Sequence, residues 1–418
     1  MNSHFKFFCI LFFLSVRAYS QTVTILFDAT KAETAGNADW VIDSDLHNIG
    51  YTNGPAVIGQ GNEANPQKAP TPVQSNIISS TAETYWQGAL SGWGIDCVKR
   101  GYHVETLPYN GQITYGNTSN AQDLSHYKVF IVCEPNIVFT TAEKTALMNF
   151  IKNGGGLFMV SDHTVSDRNN DGWDSPAIWN DFITNNSVAN NAFGMSFDLQ
   201  NFSETTTNIP NLTNDSVLHG PMGNVTAAMW ANGTSLTLNP SQNSSVKGVI
   251  YKTGSAFGNT NVMCAYARYG NGKIAAIGDS SPCDDGTGDS NDGLYNGYFA
   301  DASGNHQLLL MNITIWLATS NSTTGISNLQ DKNSEIIIFP NPSKGKYTVR
   351  CQTTTIRCEQ LEIYNIQSKK VYSSSVGSSL SSVEIDLSSQ PSGIYILKII
   401  STTVETEKEV FYKKLVVR

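Results

Sequence analysis

The strongest constraint on the fold lies in residues 127–162, which read YKVFIVCEP, then TTAEKTALMNFIKNGGG, then LFMVSD across the intervening positions. The first and last of these runs are apolar at nearly every position rather than at alternate ones. That is the texture of strands buried on both faces. The middle run has helical periodicity over 141–153, with Thr140 or Thr141 as N-cap, Glu143 in the first turn and Gly154 as the stop. Strands joined through a helix are parallel, because a tight turn can join only antiparallel neighbours. The pattern therefore predicts an α/β fold with a mostly parallel sheet flanked by helices.

The surrounding chain extends this pattern. TVTILFDAT (22–30) reads as a strand ending in Asp28, residues 82–102 as a helix, and HVETLPY as a further strand. VKGVIYKT, NVMCAYARYG and GKIAAIGDSSP read as three more strands, with a hairpin turn at ARYGNGK, and 306–319 as a final apolar helix. The domain so outlined spans 22–320. It contains an Asn-, Thr- and Ser-rich insertion of loops and short strands at about 184–245, and a polar linker follows at 321–335. Ligands of open α/β sheets bind beyond the carboxyl ends of the strands. Here those ends read Asp28, Glu134 and Asp162.

Residues 1–20 combine Lys6, an apolar run from Phe7 to Val16 and the small-x-small sequence AYS, which is the pattern of a signal peptide. The apolar run is too short to span a bilayer, and no later segment qualifies as transmembrane. Removal of Lys6 and Arg17 takes the net charge from −9 to −11. No Lys/Arg cluster is present, which argues against a nucleic-acid partner. Cys97, Cys133, Cys264, Cys283, Cys351 and Cys358 then remain; six cysteines allow 15 connectivities. Cys351 and Cys358 are close enough in sequence to pair locally, and the other four can equally be buried thiols.

Two polar stretches hold the candidate chemistry. In SDHTVSDRNNDGWDSP (161–176), Asp167, Asn169 and Asp171 alternate ahead of Gly172, as oxygen ligands converging on calcium do. Position twelve of that pattern is Ile178 rather than glutamate, so Asp174 is the candidate replacement. The alternative is a metal-free loop closed by Asx turns. In GDSSPCDDGTGDSNDG (278–293), Asp284, Asp285 and Asp289 form a second candidate metal cluster, with a solvated loop as the alternative. Asp162, His163, Asp279 and His306 are the candidate catalytic residues of a metal-assisted or carboxylate-based hydrolase. For both histidines, capping and loop hydrogen bonding are the competing roles. Trp40, beside Glu33 and Asp39, offers either a stacking face for a sugar or a cap on the core.

Residues 336–418 change texture to short alternating strands with turns between them, an all-β sandwich. FPNPSKGKYTV, EIYNIQSKKVY, DLSSQPSGIYILKI and the terminal KKLVVR resemble the type IX secretion (Por) sorting domain of exported Bacteroidetes proteins. The resemblance implies outer-membrane translocation, with the type IX machinery as partner and a secreted or cell-surface destination. Residues 22–320, through FDATKAETAGNADWVID, FTTAEKTALMNFIKNGGGLFMVSDHTVSDRNNDG and HQLLLMNITIWLA, resemble the class I glutamine amidotransferase-like superfamily. That implies a flavodoxin-like sheet. It also places a nucleophile elbow at Ser161-Asp162-His163, where the cysteine needed for glutaminase chemistry is missing. The expectation is thus an exported hydrolase-like enzyme acting on a glycan or other polymer, or a non-catalytic binding or scaffold domain with structural calcium loops.

Overall fold

The computed structural model describes residues 23–35, 38–43, 72–288, 295–299, 304–319, 336–351, 356–365, 369–376, 382–403 and 408–418. The segments expected to be a signal peptide (1–20) and a linker (321–335), and Asp289, lie outside the described residues. The chain falls into two compact units, Met1–Asn321 and Ser322–Arg418.

Eleven strands of the first unit matter here: β1 (Thr24–Asp28), β2 (His103–Leu107), β3 (Val129–Cys133), β4 (Gly156–Val160), β5 (Met195–Phe197), β6 (Phe202–Thr206), β7 (Ala228–Gly233), β8 (Leu236–Leu238), β9 (Lys247–Tyr251), β10 (Val262–Tyr269) and β11 (Gly272–Ile277). The helices are α1 (Ser91–Lys99), α2 (Thr141–Lys152), α3 (Ser175–Thr184) and α4 (His306–Ala318). Nine strands form one sheet in the order β2-β1-β3-β4-β11-β10-β8-β5, with β9 also paired to β10. β6 and β7 pair as a separate antiparallel ribbon.

The expectation of a mostly parallel sheet is corrected to a mixed one. β2, β1, β3, β4 and β11 pair in parallel, whereas β10, β9, β8 and β5 pair antiparallel. The reason is connection length. The tight turn at Gly270-Asn271, with Gly270 at φ +57°, returns β10 directly onto β11. No helix separates β8, β9 and β10 to carry the chain across for parallel pairing.

The two-residue period of each strand divides its side chains between two cores. Ile25, Phe27, Val129 and Ile131 face a cluster with Trp93 and α4 residues such as Leu309 and Ile313. Leu26, Phe130 and Val132 face a cluster with Phe150 and Ile151 of α2 and Trp179 and Phe182 of α3. α4 is apolar around most of its circumference and deeply buried. Its C-terminal carbonyls are closed by Lys273 Nζ, which donates to Trp316 O and Thr319 O at 2.6 and 2.7 Å. α2 starts where its capping box predicts, with Thr140 and Glu143 bonded reciprocally. The helix expected over 82–102 is shorter, confined to Ser91–Lys99. Gly88 lies so close to Val41 O that a Cβ would come within 2.3 Å of it, so the chain ahead of α1 is set by that contact.

The second unit has seven strands: β12 (Ile336–Phe339), β13 (Lys346–Cys351), β14 (Ile356–Asn365), β15 (Lys370–Ser375), β16 (Ser382–Asp386), β17 (Gly393–Thr403) and β18 (Lys408–Val417). They form two antiparallel sheets, β12-β13-β16 and β15-β14-β17-β18. Alternate residues of both, among them Tyr347, Val349, Leu361, Ile363, Leu397 and Leu415, fill one core.

Candidate functional site

Register brings the acidic residues together. Cys133 pairs with Val160, and Val160 pairs with Ile277, so β3, β4 and β11 end level with one another. The residues that follow, Glu134, Ser161-Asp162 and Gly278-Asp279, emerge at one edge, and Asp28 ends β1 on the far side of β3. Gly278 is required for this closeness: a Cβ there would sit 1.9 Å from Thr234 O. All four acids are buried, each no more than 2% exposed.

Glu134 is the hub. Its backbone is left-handed, at φ +49°, which is uncommon for a residue with a side chain and characteristic of functional turns. Its Oε1 accepts from Arg168 Nε at 3.0 Å. Its Oε2 accepts from Trp40 Nε1 at 2.8 Å and from Ser280 Oγ at 2.7 Å. Arg168 Nη2 also donates to Asp162 Oδ2 at 2.9 Å, so one guanidinium bridges two buried carboxyl groups. The strained turn thus lies one strand earlier than the elbow expected at Ser161-Asp162-His163. None of those three residues has a positive φ.

Burial, and then the charges of Glu134 and Asp279, push the Asp162 carboxyl well above its ordinary range, with Arg168 opposing them. Burial likewise raises Asp279 to about 7, although N–H bonds from Ser281 and Ala231 pull the other way. Behind them lie two more buried acids, Asp28 and Glu33. Burial raises both, and Glu33 is raised further by the Asp28 charge.

A pocket of about 320 Å³ opens on this network, lined in part by Asp162, His163, Arg168, Asn232, Ser280 and Tyr295. His163 Nε2 is 3.5 Å from Asp162 Oδ2, and its Nδ1 lies 2.5 Å from Thr164 O and 2.9 Å from Asn201 Nδ2. Asp279, expected as catalytic, does not line the pocket; its carboxyl accepts from the backbone N–H groups of Ser281 and Ala231. His306 takes no part in the lining. Its Nε2 accepts from Met229 N and its Nδ1 contacts Gly297 O, both at 2.9 Å, which is a capping role. Trp40 also lines the pocket, but at 2% exposure it serves Glu134 and offers no open face for stacking.

The two proposed metal clusters have other partners. Asp167 accepts from the backbone N–H of Asp171 and of Gly172, at 3.1 and 2.8 Å. Asp171 accepts from Trp173 N and from Asn169 Nδ2, and Asp174 from Val165 N. The oxygens of this loop are turned onto its own N–H groups, with which a calcium ion would have to compete. Asp284 accepts from Gly286 N and Tyr295 N. Asp285 accepts from Thr287 and, at the first turn of α1, from Gly92 N. Among the described residues, no group of three or more His, Cys, Asp or Glu side chains is placed to hold a metal ion.

Arg168, Ser280, Asn232 and Tyr295 were not legible as site residues. Arg168 sits at a spacer position in DRNNDG, and only the fold turns it toward Glu134. Glu134 carried a signal, an acid before proline at the end of a buried run, but nothing in sequence set it above other strand-end acids.

Cys97, Cys133, Cys264 and Cys283 are buried free thiols. The side chains of Cys351 and Cys358 lie outside the described residues. Among the described residues, no helix is long and apolar enough to cross a membrane.

No curated protein matches the chain. Among solved structures, the mmIFT52 N-terminal domain aligns at 12% identity and TM-score 0.39, covering 71% of this chain and 98% of that one. A polyextremophilic β-galactosidase from the Antarctic haloarchaeon Halorubrum lacusprofundi aligns at 13% identity and TM-score 0.29, over 72% of this chain and 36% of that one. A DUF3244-family protein with an immunoglobulin-like β-sandwich fold from Bacteroides vulgatus aligns at 19% identity and TM-score 0.16, over 20% and 86%. Likenesses this distant say nothing about activity. Residues 337–418 match the secretion system C-terminal sorting domain, so the chain carries a type IX sorting tail and is an exported cell-surface protein.

Proposed function

We propose that this exported chain is a hydrolase-like enzyme acting on a glycan or another polymer, with the carboxyl-edge pocket as its site. The observation that carries this reading is the split carboxyl pair. Asp162, on the pocket wall, has its carboxyl pushed well above the ordinary range by burial and neighbouring negative charge, which favours the protonated form. Glu134 behind it receives Arg168, Trp40 and Ser280, a donor set suited to a carboxylate. Acid–base pairs are made by such opposed environments. Asp162 is then the proton donor to the leaving oxygen, and His163 is the group positioned to accept a proton from water. Glu134 and Arg168 are positioning residues.

The parallel strands run β2-β1-β3-β4-β11, the order of flavodoxin-like sheets, which supports the amidotransferase-like resemblance of this domain. Glutaminase chemistry is outside the proposal. Cys133, beside the strained turn, is buried and its thiol is pushed well up by that burial, which makes a poor nucleophile.

The test is reducing-end release from a panel of polysaccharides by the full chain. Asp162→Asn should lower turnover by about 100-fold or more while leaving the urea midpoint at pH 7 no lower. Unchanged turnover in both Asp162→Asn and His163→Ala would sink the assignment. If the wild type releases nothing but binds a polysaccharide through this pocket, the non-catalytic binding reading takes its place.

A further inference from the structure

We infer that the first unit carries a second ligand site, separate from the acidic pocket, that takes a neutral saccharide. It is a pocket of about 400 Å³ whose walls include Asn211, Asn214, Asp215, Lys247, Tyr266 and Trp316. It shares no lining residue with the carboxyl-edge pocket. Its position also differs: Trp316 is tied through its carbonyl to Lys273 at the amino end of β11, whereas Asp279 follows the carboxyl end.

Three features of the walls define the ligand class. Tyr266 and Trp316 meet at 4.7 Å between ring centroids with 48° between their planes, and both are partly exposed. Aromatic faces of this kind pack against the C–H faces of a sugar ring while the ring's hydroxyls stay wet. Asn211 and Asn214 are exposed on the adjoining loop and offer amide donors and acceptors for those hydroxyls. The charged members cancel: Asp215 accepts from Lys247 Nζ at 2.8 Å and from Tyr266 OH at 2.6 Å. The lining residues thus carry no net charge, which suits a neutral ligand over a phosphate or a uronate.

The site is also held in shape before any ligand arrives. The other oxygen of Asp215 accepts from Val217 N and Leu218 N, which fixes the turn of the loop. Lys273 Nζ lies 5.0 Å from the Trp316 ring centroid and the Arg268 guanidinium 5.8 Å from it, two cation–π contacts that help fix the indole. Pre-ordered aromatic and polar groups lower the entropic cost of binding.

Affinity electrophoresis of the full chain tests this, in gels cast with a neutral β-glucan, a xylan or a galactomannan, and with dextran sulfate as the anionic control. At least one neutral polysaccharide should retard the wild type. Trp316→Ala should weaken that retardation about tenfold. Asn214→Trp, an exposed change that fills the pocket mouth without touching the core, should do the same and guards against misfolding of the first variant. Neither Trp316 nor Asn214 lines the carboxyl-edge pocket, so loss of retardation in both variants separates this site from the proposed catalytic one. The inference is overturned if no neutral polysaccharide retards the chain, if dextran sulfate alone does, or if retardation survives both pocket variants.

Discussion

Replacing Arg168 by methionine tests the architecture of the acidic site most directly. The guanidinium, 26% exposed, bonds at 3.0 and 2.9 Å to carboxyl groups whose side chains are 0% and 3% exposed. Removing one member of a buried ion pair typically costs about 3–5 kcal/mol, because the remaining charge is left uncompensated. Two features reduce that figure here. Glu134 keeps the donors Trp40 and Ser280. Asp162, whose carboxyl is raised well above the ordinary range, loses one hydrogen bond, worth about 1 kcal/mol. The expected loss is about 3 kcal/mol at pH 8. All 7 tryptophans lie in the first unit, at positions 40 to 316, so urea titration followed by tryptophan fluorescence reports that unit alone. Adding Glu134→Gln to Arg168→Met should recover part of the loss at pH 8. A loss below about 1 kcal/mol at pH 8 would refute the bridging role.

Four further outcomes are expected. Burial raises Asp279 and Asp285 to about 7, above the ordinary carboxylate value of about 4. The folded state then binds more protons between pH 4 and 7, so first-unit stability should fall as pH rises through that window and level off above it; a urea midpoint that climbs over the same window contradicts this. Val165 is 88% exposed at φ +65°, so Val165→Gly should stabilise by about 1 kcal/mol, and a loss in the same titration would count against the strained turn. His306→Ala removes the bonds to Met229 N and Gly297 O and should cost about 2 kcal/mol while leaving the pH profile of any turnover unchanged; a shifted profile would return His306 to the chemistry. Millimolar calcium should leave the melting temperature of the first unit unchanged, since the 167–174 carboxylates are already taken by backbone N–H groups; a saturable rise would establish the loop as a calcium site.

The parts of the fold legible in the sequence are those set by local rules. Apolar runs at 129–133 and 156–160, with the capped helix between them, mark β3, α2 and β4, because burial on both faces and helix capping leave contiguous patterns. The mixed character of the sheet was less legible. β5 and β8 are three-residue strands, too short for a period, and they gain their place only by pairing along the β10 edge. The same contrast divides the site. Asp162, His163 and Asp279 were candidates because they lie at or just past strand ends, and of these Asp162 and His163 reach the pocket wall. His306 looked equivalent, and the packing of α4 turned it to backbone caps instead.

What the sequence determined by itself is thus the run of elements, the acids that end the parallel strands, and the sorting tail, whose motifs are contiguous. The tertiary structure decided which of those acids meet and in what state. Only the level register of β3, β4 and β11 sets Glu134, Asp162 and Asp279 side by side. Only the folding back of 163–174 swings Arg168 between the first two. Burial then decides protonation, and burial is a property of the assembled fold, since the cost of a carboxylate depends on what surrounds it rather than on its neighbours in the chain.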